Sequence, residues 1–328
     1  MSQILDNHGR TINYVRLAVT DRCNLRCFYC MPEEGINYVA REELMTYEEM
    51  VMMVKLFAEM GITKLRITGG EPFLRKDMMD FLRLVSSIKG ITDVHITTNG
   101  TLTYDIIPEL KELGIASINL SLDSLDRERF HQITRRDDLP KVLDTYRRLI
   151  DYEIKTKINM VVMDGRNTED LIAMAKLAQD DPVEVRFIEE MPFNGSEAHS
   201  FTWDHARIAN HLSEAFPGMQ RLPMKPAATA QLFQIPDFKG KIGIIAAYTR
   251  TFCGTCNRLR VTPTGMLRTC LYDQGVFNIK DLMRKGATDA QMKTALLDAI
   301  GNRAKDGHEA EARRFNAPVG ESMSTIGG

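Results

Sequence analysis

The chain has 328 residues, 44% of them apolar and 26% charged, with a formal net charge of −2. That length can bury a substantial core as one large or two smaller domains, and the near-neutral balance excludes a global cationic field of the kind that carries nucleic acid. No apolar run reaches the roughly 18 residues of a membrane span, and the opening MSQILDNHGR lacks the basic-then-apolar layout of a secretory signal, so a cytoplasmic protein with no nucleic-acid or membrane partner is expected.

From about residue 14 to 191 the sequence alternates apolar β-rich runs with amphipathic stretches. Strands are expected at 15–20, 64–68, 93–97, 117–122, 155–162 and 183–188. Thr46-Tyr47-Glu48-Glu49 reads as a capping box opening a helix to about Met60, with Gly61 as its C-terminal stop. A helix over 105–113 ends before Gly114 in the same way. Pro140 suits the first turn of a helix ending near Tyr152, and Asn167 suits the cap of one ending near Gln179. The Met-rich run EEMVMMVKLFAEM is a core-facing helix with adaptable packing. Six βα units predict an α/β fold with a parallel sheet, barrel-like or doubly wound. Several of these strands run into polar or glycine-rich turns, ITGGEP (67–72), ITTNG (96–100), LSLD (120–123) and FIEEM (187–191), which is where α/β barrels gather their active sites.

Past residue 192 the pattern changes. An irregular Pro- and Ala-containing region covers 217–230, an apolar run covers 242–248, and 258–263 with 266–271 form a hairpin across Thr264-Gly265. Two short helices follow at 279–284 and 289–301, and the last stretch is aperiodic and ends in Gly327-Gly328. The division expected is 1–191 and 192–328.

Six cysteines fall into two groups, Cys23/Cys27/Cys30 and Cys253/Cys256/Cys270. In a reducing cytoplasm such clusters point to metal rather than disulfides. Thiolates suit zinc, copper(I) or iron–sulfur. Structural zinc wants four closed ligands, whereas three thiolates on a four-iron cluster leave one iron open to a substrate. On spacing alone zinc, disulfide and cluster readings remain.

The spacing C-x3-C-x2-C in VTDRCNLRCFYCMP resembles the signature of the radical S-adenosylmethionine (SAM) enzymes. Gly69-Gly70-Glu71-Pro72 matches the turn with which that superfamily holds the methionine amino group. With TTNG, SLDSL, RFIEEM, CGTCNRLR and the Gly-Gly end added, the chain is similar over nearly its whole length to the family that cyclises GTP in the first step of molybdenum-cofactor biosynthesis. The resemblance implies an incomplete (β/α)6 TIM-like barrel whose open side is covered by a C-terminal cluster region. It implies two 4Fe–4S clusters, the first on Cys23, Cys27 and Cys30 for SAM, the second on Cys253, Cys256 and Cys270 for GTP. It further implies a 5′-deoxyadenosyl radical that takes the ribose C3′ hydrogen of GTP, after which C3′ attacks guanine C8.

By motif position Tyr29, Gly70, Glu71, Ser121, Lys157 and Met191 would contact SAM. Arg16, Arg66, Thr97, Arg186, Arg258 and Arg260 would contact GTP. Arg258 and Arg260 share one face of a strand, and guanidinium forks suit phosphate oxygens. The resemblance gives Arg258, Arg260, Gly327 and Gly328 a part in catalysis. An electron donor of flavodoxin or ferredoxin type, a monomer or homodimer, and transfer of product to cyclic pyranopterin monophosphate synthase complete what it implies. The rival readings are a peptide- or RNA-modifying radical enzyme and a zinc-stapled binding protein.

Overall fold

The computed structural model describes residues 3–32, 34–191, 202–314 and 322–326. Its strands in chain order are β1 (Tyr14–Ala18), β2 (Lys64–Thr68), β3 (Asp93–Thr98), β4 (Ser117–Ser121), β5 (Thr156–Val162), β6 (Glu184–Glu189), β7 (Gln220–Arg221), β8 (Ala230–Gln234), β9 (Lys241–Ile245), β10 (Arg258–Val261), β11 (Met266–Arg268) and β12 (Phe277–Asn278). The helices are α1 (Tyr47–Glu59), α2 (Met78–Ser86), α3 (Ile107–Glu112), α4 (Arg127–Thr134), α5 (Leu139–Asp151), α6 (Leu171–Asp180), α7 (His205–Ala215), α8 (Ile279–Arg284), α9 (Asp289–Gly301), α10 (Gly307–Ala312) and α11 (Met323–Ile326). They divide into two compact units, Met1–Asn24 with Glu34–Ile96 and Cys253–Gly328, and Leu25–Glu33 with Thr97–Phe252.

In the first unit the strand order is β12-β11-β10-β1-β2-β3. Strands β10, β1, β2 and β3 run parallel, and β11 and β12 turn back antiparallel. Side chains alternate across a strand, and here the alternation is sharp. Val15, Leu17, Leu65, Ile67, Val94, Ile96, Leu259 and Val261 are buried. Between them stand cations, described below. The Thr46 hydroxyl accepts from Glu49 N and the Glu49 carboxylate accepts from Thr46 N, so the capping box forms as expected. Helix α1 buries Met50, Met53, Val54, Leu56, Phe57 and Ala58. Each of the larger of these stabilises the unit by about 1.5–3 kcal/mol. Pairing of β10 with β11 confirms the expected hairpin, with Gly265 at φ +87° in its turn.

In the second unit the order is β4-β5-β6-β9-β8-β7, with β4, β5, β6 and β9 parallel. Two expectations are corrected here. The irregular region 217–230 contains β7, which pairs antiparallel with β8; residues as polar as Gln220 and Arg221 carry no strand period. Asn167 stands at the N-cap position of the 3-10 turn before α6, but its side chain does not cap it. Its amide is buried, donating to Asp123 O (2.9 Å) and Val161 O (2.8 Å) while accepting from Met163 N (2.9 Å). Three backbone groups outcompete the helix end, and α6 starts at Leu171 after a 3-10 turn.

Candidate functional site

The strand register of the first unit lines up cations. Arg268 on β11, Arg260 on β10, Arg16 on β1, Arg66 on β2 and His95 on β3 are successive partners in one row. The row beside it reads Arg258, Tyr14, Lys64 and Asp93. Positions two apart share a face, so four guanidiniums of the first row and Arg258 of the second converge. Arg66, Arg260 and Arg268 are buried, Arg16 and Arg258 half-buried.

The electrostatics follow from that crowding. Burial, then the Arg258 charge, lowers Arg260 to about 10, with the nearby thiols of Cys256 and Cys270 pulling the other way. Burial and then Arg260 push Arg16 well below the ordinary guanidinium range. Tyr14 receives a hydrogen bond from Arg66 Nε (2.5 Å). Its burial alone would raise the phenol, but Arg66, Arg16 and Arg258 outweigh that and bring it down to about 8. Arg66 Nη1 also donates to Ile96 O (3.3 Å). A face of this kind is built to receive an anion with several oxygens. Beside Arg268 lies a cavity of about 240 Å³, also lined by Asp21, Val39, Thr262, Gln274 and Thr325.

Arg16, Arg66, Arg258 and Arg260, expected from sequence to face a nucleotide, are therefore together. Arg268, His95 and Tyr14 join them without having been singled out. The hairpin register across Thr264-Gly265, with Arg16 two residues beyond Tyr14, was the available signal for Arg268 and Tyr14.

The C-terminal cysteines stand at the end of this unit's strands. Cys253 opens a 3-10 turn in which Cys256 N donates to Cys253 O (3.1 Å). Cys270 follows β11, its N–H held by Asp273 Oδ2 (2.8 Å). Burial would raise the Cys256 thiol, but Arg258 and Arg303 hold it at about 6. Burial pushes Cys270 up to about 11, with Asp273, Cys256 and Cys253 adding their negative charge. Three soft donors that feel one another's charge, without imidazole among them, suit iron–sulfur chemistry better than a hard cation. As placed, no three His, Cys, Asp or Glu side chains among the described residues form a chelating group, and none of the six cysteines is in a disulfide.

The turn after β2 packs on the turn after β1. Gly70 N donates to Thr20 O and Glu71 N to Arg22 O, both at 2.8 Å. A Cβ on Gly70 would stand 2.2 Å from the Arg22 carbonyl oxygen, and one on Gly69 would stand 2.4 Å from that of Thr20. The glycines are needed for this backbone contact, one residue short of Cys23. Glu71 is fully buried, its carboxylate accepting from Phe73 N (3.2 Å).

In the second unit Cys27 O accepts from Cys30 N and Met31 N (2.9 Å each), a tight turn that presents both thiols half-exposed. Arg135 Nη1 brackets the same loop by donating to Arg26 O and Met31 O (3.2 Å each). Tyr29 donates to Asp123 Oδ2 (2.8 Å). Burial, with the Asp123 charge, raises its phenol well above the ordinary value. Burial likewise lifts Asp123 to about 6 against the hydrogen bonds it accepts.

Ser121, Asn159 and Arg186 form one row across β4, β5 and β6, and Asn119, Lys157 and Glu184 the next. Glu184 accepts from Arg186 Nε (2.5 Å) and lies 4.0 Å from Lys157 Nζ. Met191 follows β6 and is half-buried, as is Thr97 on β3. Gly327 and Gly328 lie outside the described residues.

Comparison with known proteins places these features in a family. Residues 17–178 match the Radical SAM superfamily, and residues 183–309 match Molybdenum Cofactor Synthesis C. The chain is 38% identical over 304 residues to the GTP 3′,8-cyclase of Syntrophomonas wolfei, covering 90% of this chain and 92% of that protein. It is 35% identical over 309 residues to molybdenum cofactor biosynthesis protein 1 of Mus musculus, covering 92% of this chain and 48% of the relative. It thus spans about half the length of that group of relatives. In fold it is similar to SuiB of Streptococcus suis bound to its precursor peptide SuiA, with a TM-score of 0.66 at 13% identity over 94% of this chain and 69% of that one. The superfamily implies a 4Fe–4S cluster and SAM. The chain belongs to the GTP 3′,8-cyclase family of the radical SAM superfamily.

Proposed function

We propose that this chain is a radical SAM enzyme that converts GTP to (8S)-3′,8-cyclo-7,8-dihydroguanosine 5′-triphosphate, the first step of molybdenum-cofactor biosynthesis. The observation that carries the reading is the cationic row Arg268–Arg260–Arg16–Arg66, with Arg258 beside it, in the same unit as the C-terminal cysteines. A triphosphate is the anion that such a row fits, and the names of the relatives supply the nucleoside.

In this reading Cys23, Cys27 and Cys30 hold one 4Fe–4S cluster, and Cys253, Cys256 and Cys270 hold the second. When bound, the first would supply the reductive cleavage of SAM to methionine and a hydrogen-abstracting radical, directed at the ribose C3′ of GTP. The protein's own residues bind and orient. Arg16, Arg66, Arg258 and Arg260 take phosphate oxygens, with Thr97 and Arg186 as further GTP contacts. Tyr29, Gly70, Glu71, Ser121, Lys157 and Met191 hold SAM, and Gly327 and Gly328 take part in catalysis with Arg258 and Arg260. The architecture assigned to residues 1–191 is an incomplete (β/α)6 barrel, and 192–328 form the cluster- and GTP-binding region covering its open side. A flavodoxin or ferredoxin is the donor and cyclic pyranopterin monophosphate synthase the recipient of product, in a cytoplasmic monomer or homodimer.

The test is an anaerobic assay of reconstituted protein with SAM, dithionite and each nucleoside triphosphate in turn. The expected result is 5′-deoxyadenosine together with loss of GTP and not ATP. Deoxyadenosine without GTP conversion would return the substrate to a peptide or RNA, and none from iron-replete protein would sink the radical chemistry.

A further inference from the structure

Behind the C-terminal cysteines, and within the same unit, lies a buried group of three charges that the cyclase reading does not use. Residues 4–12 form a small hairpin, with Ile12 N bonded to Ile4 O (2.9 Å) and Gly9 at φ +73° in the turn. The hairpin presents the Asp6 carboxylate inward. Asp6 Oδ1 accepts the backbone N–H groups of His8 and Arg10 (2.9 Å each). Asp6 Oδ2 accepts from Arg10 Nε (2.7 Å) and from Arg303 Nη1 (3.2 Å). The side chains of Asp6, Arg10 and Arg303 are 0%, 7% and 3% exposed.

Arg303 so oriented turns its remaining N–H groups on two cysteine segments, while Arg10 reaches the third and ties down the chain just after Arg303. Arg10 Nη1 donates to Cys253 O (3.3 Å) and Lys305 O (2.6 Å), and Nη2 donates to Ala304 O (2.9 Å). Arg303 Nη1 donates to Cys256 O (3.2 Å). Its Nη2 reaches Arg258 O (3.1 Å), Thr269 O (3.0 Å), the residue before Cys270, and the Cys256 sulfur itself (3.7 Å). One carboxylate thus aims two guanidiniums at all three thiol-bearing segments. Two cations on one anion is a costly way to fill an interior for stability alone. An N–H aimed at a ligand sulfur is the outer-shell contact that tunes a metal centre.

We propose that Asp6, Arg10 and Arg303 are the positioning set of the C-terminal cluster, and that the hydrogen bond from Arg303 to Cys256 Sγ sets that cluster's reduction potential. The proposal rests on the reading that Cys253, Cys256 and Cys270 hold iron and sulfide. A donor to a thiolate sulfur draws off electron density and favours the reduced cluster. Its removal makes the cluster harder to reduce. Lysine keeps the charge, but a single ammonium with three donors cannot span the carbonyls of Cys256, Arg258 and Thr269 together with the sulfur.

The experiment uses the full chain with Cys23, Cys27 and Cys30 replaced by alanine, so that any cluster formed is the C-terminal one. Iron and sulfide are counted, and the midpoint is read by redox titration followed by EPR, for this parent and for Arg303→Lys and Asp6→Asn within it. We expect Arg303→Lys to hold iron and to titrate at more negative potential, and Asp6→Asn, in which the lost anion opposes the loosened Arg303 donor, to shift less. Loss of the cluster from a variant whose iron-free form melts with the parent also supports positioning. Midpoints equal to the parent's at full iron content overturn the proposal, as does loss of iron together with a collapsed melt in both variants, which would leave only a structural ion pair. A parent that binds no iron removes the cluster reading itself, and the proposal falls with it.

Discussion

The polar strand faces of the two units are built on one alternation and balanced in opposite ways. In the first unit Arg268, Arg260, Arg16 and Arg66 stand side by side with Arg258 and Lys64 close by, and Tyr14 and Asp93 share the neighbouring row. In the second unit Lys157 and Arg186 converge on Glu184 among the amides Asn119 and Asn159 and the Ser121 hydroxyl. Burial would raise Glu184, yet Arg186 and Lys157 hold it below the usual carboxylate range. Self-repulsion makes the first face costly until an anion arrives. The second carries a carboxylate of its own between its two cations. A functional arginine is therefore better recognised by the like charges set beside it in register than by exposure.

The contrast is broken most strongly at Arg260. Replacing it with alanine removes a charge-assisted contact of about 1.5–3 kcal/mol, which is roughly 10- to 150-fold in GTP affinity. The melting temperature should hold or rise, because Arg258 and Arg16 lose a repulsive neighbour. Calorimetric GTP binding to anaerobically reconstituted protein, with a melt alongside, reads both. Unchanged affinity would take the row out of the nucleotide site.

Arg186→Ala should do the reverse. It leaves Glu184 with Lys157 at 4.0 Å and the weaker field of Lys155, a loss of about 1–3 kcal/mol in stability for a pair that is mostly buried. Adding Glu184→Gln should restore most of the melt. A contact between Arg186 and GTP would appear as an affinity loss that the double variant does not repair. The sign in pH is fixed by the depressed Glu184 value. Its contribution is present above the unfolded carboxylate range and is lost as pH falls through the lowered one, so acid should erase the difference between wild type and Arg186→Ala.

Much of this was readable in advance because it depends on short-range periodicity. Alternation placed β1 to β6 within about two residues, the capping box at Thr46 formed, and Arg258 with Arg260 do share a face. What stayed hidden is long-range. Asp6 and Arg303 are 297 positions apart, and neither has a motif. Asn167 looked like a cap because its neighbours in sequence are helical, whereas its partners are the carbonyls of Asp123 and Val161. The GGEP turn was legible as a family motif; that its glycines make room for the Thr20 and Arg22 carbonyls was not.

The smallest effect sharpens the comparison at Tyr14. Tyr14 accepts from Arg66 Nε (2.5 Å), carries Lys64 Nζ 5.2 Å from its ring centre, and is brought to about 8 by Arg66, Arg16 and Arg258 against its own burial. Arg260 faces it too and gains from its charge. Below pH 8 the phenol is neutral and the row keeps its full positive charge. Above it a phenolate cancels one charge and competes with the triphosphate for the same guanidiniums. GTP affinity should therefore fall as pH rises through about 8, by at most tenfold per pH unit, with a proton taken up on binding. Tyr14→Phe removes that limb. At pH 7 it should change affinity only through one lost hydrogen bond to Arg66, about 0.5–1.5 kcal/mol. Titration of GTP itself is common to both proteins and cancels in the ratio of their dissociation constants from pH 7 to 9. A ratio that stays flat would mean that the phenol keeps its proton across this range.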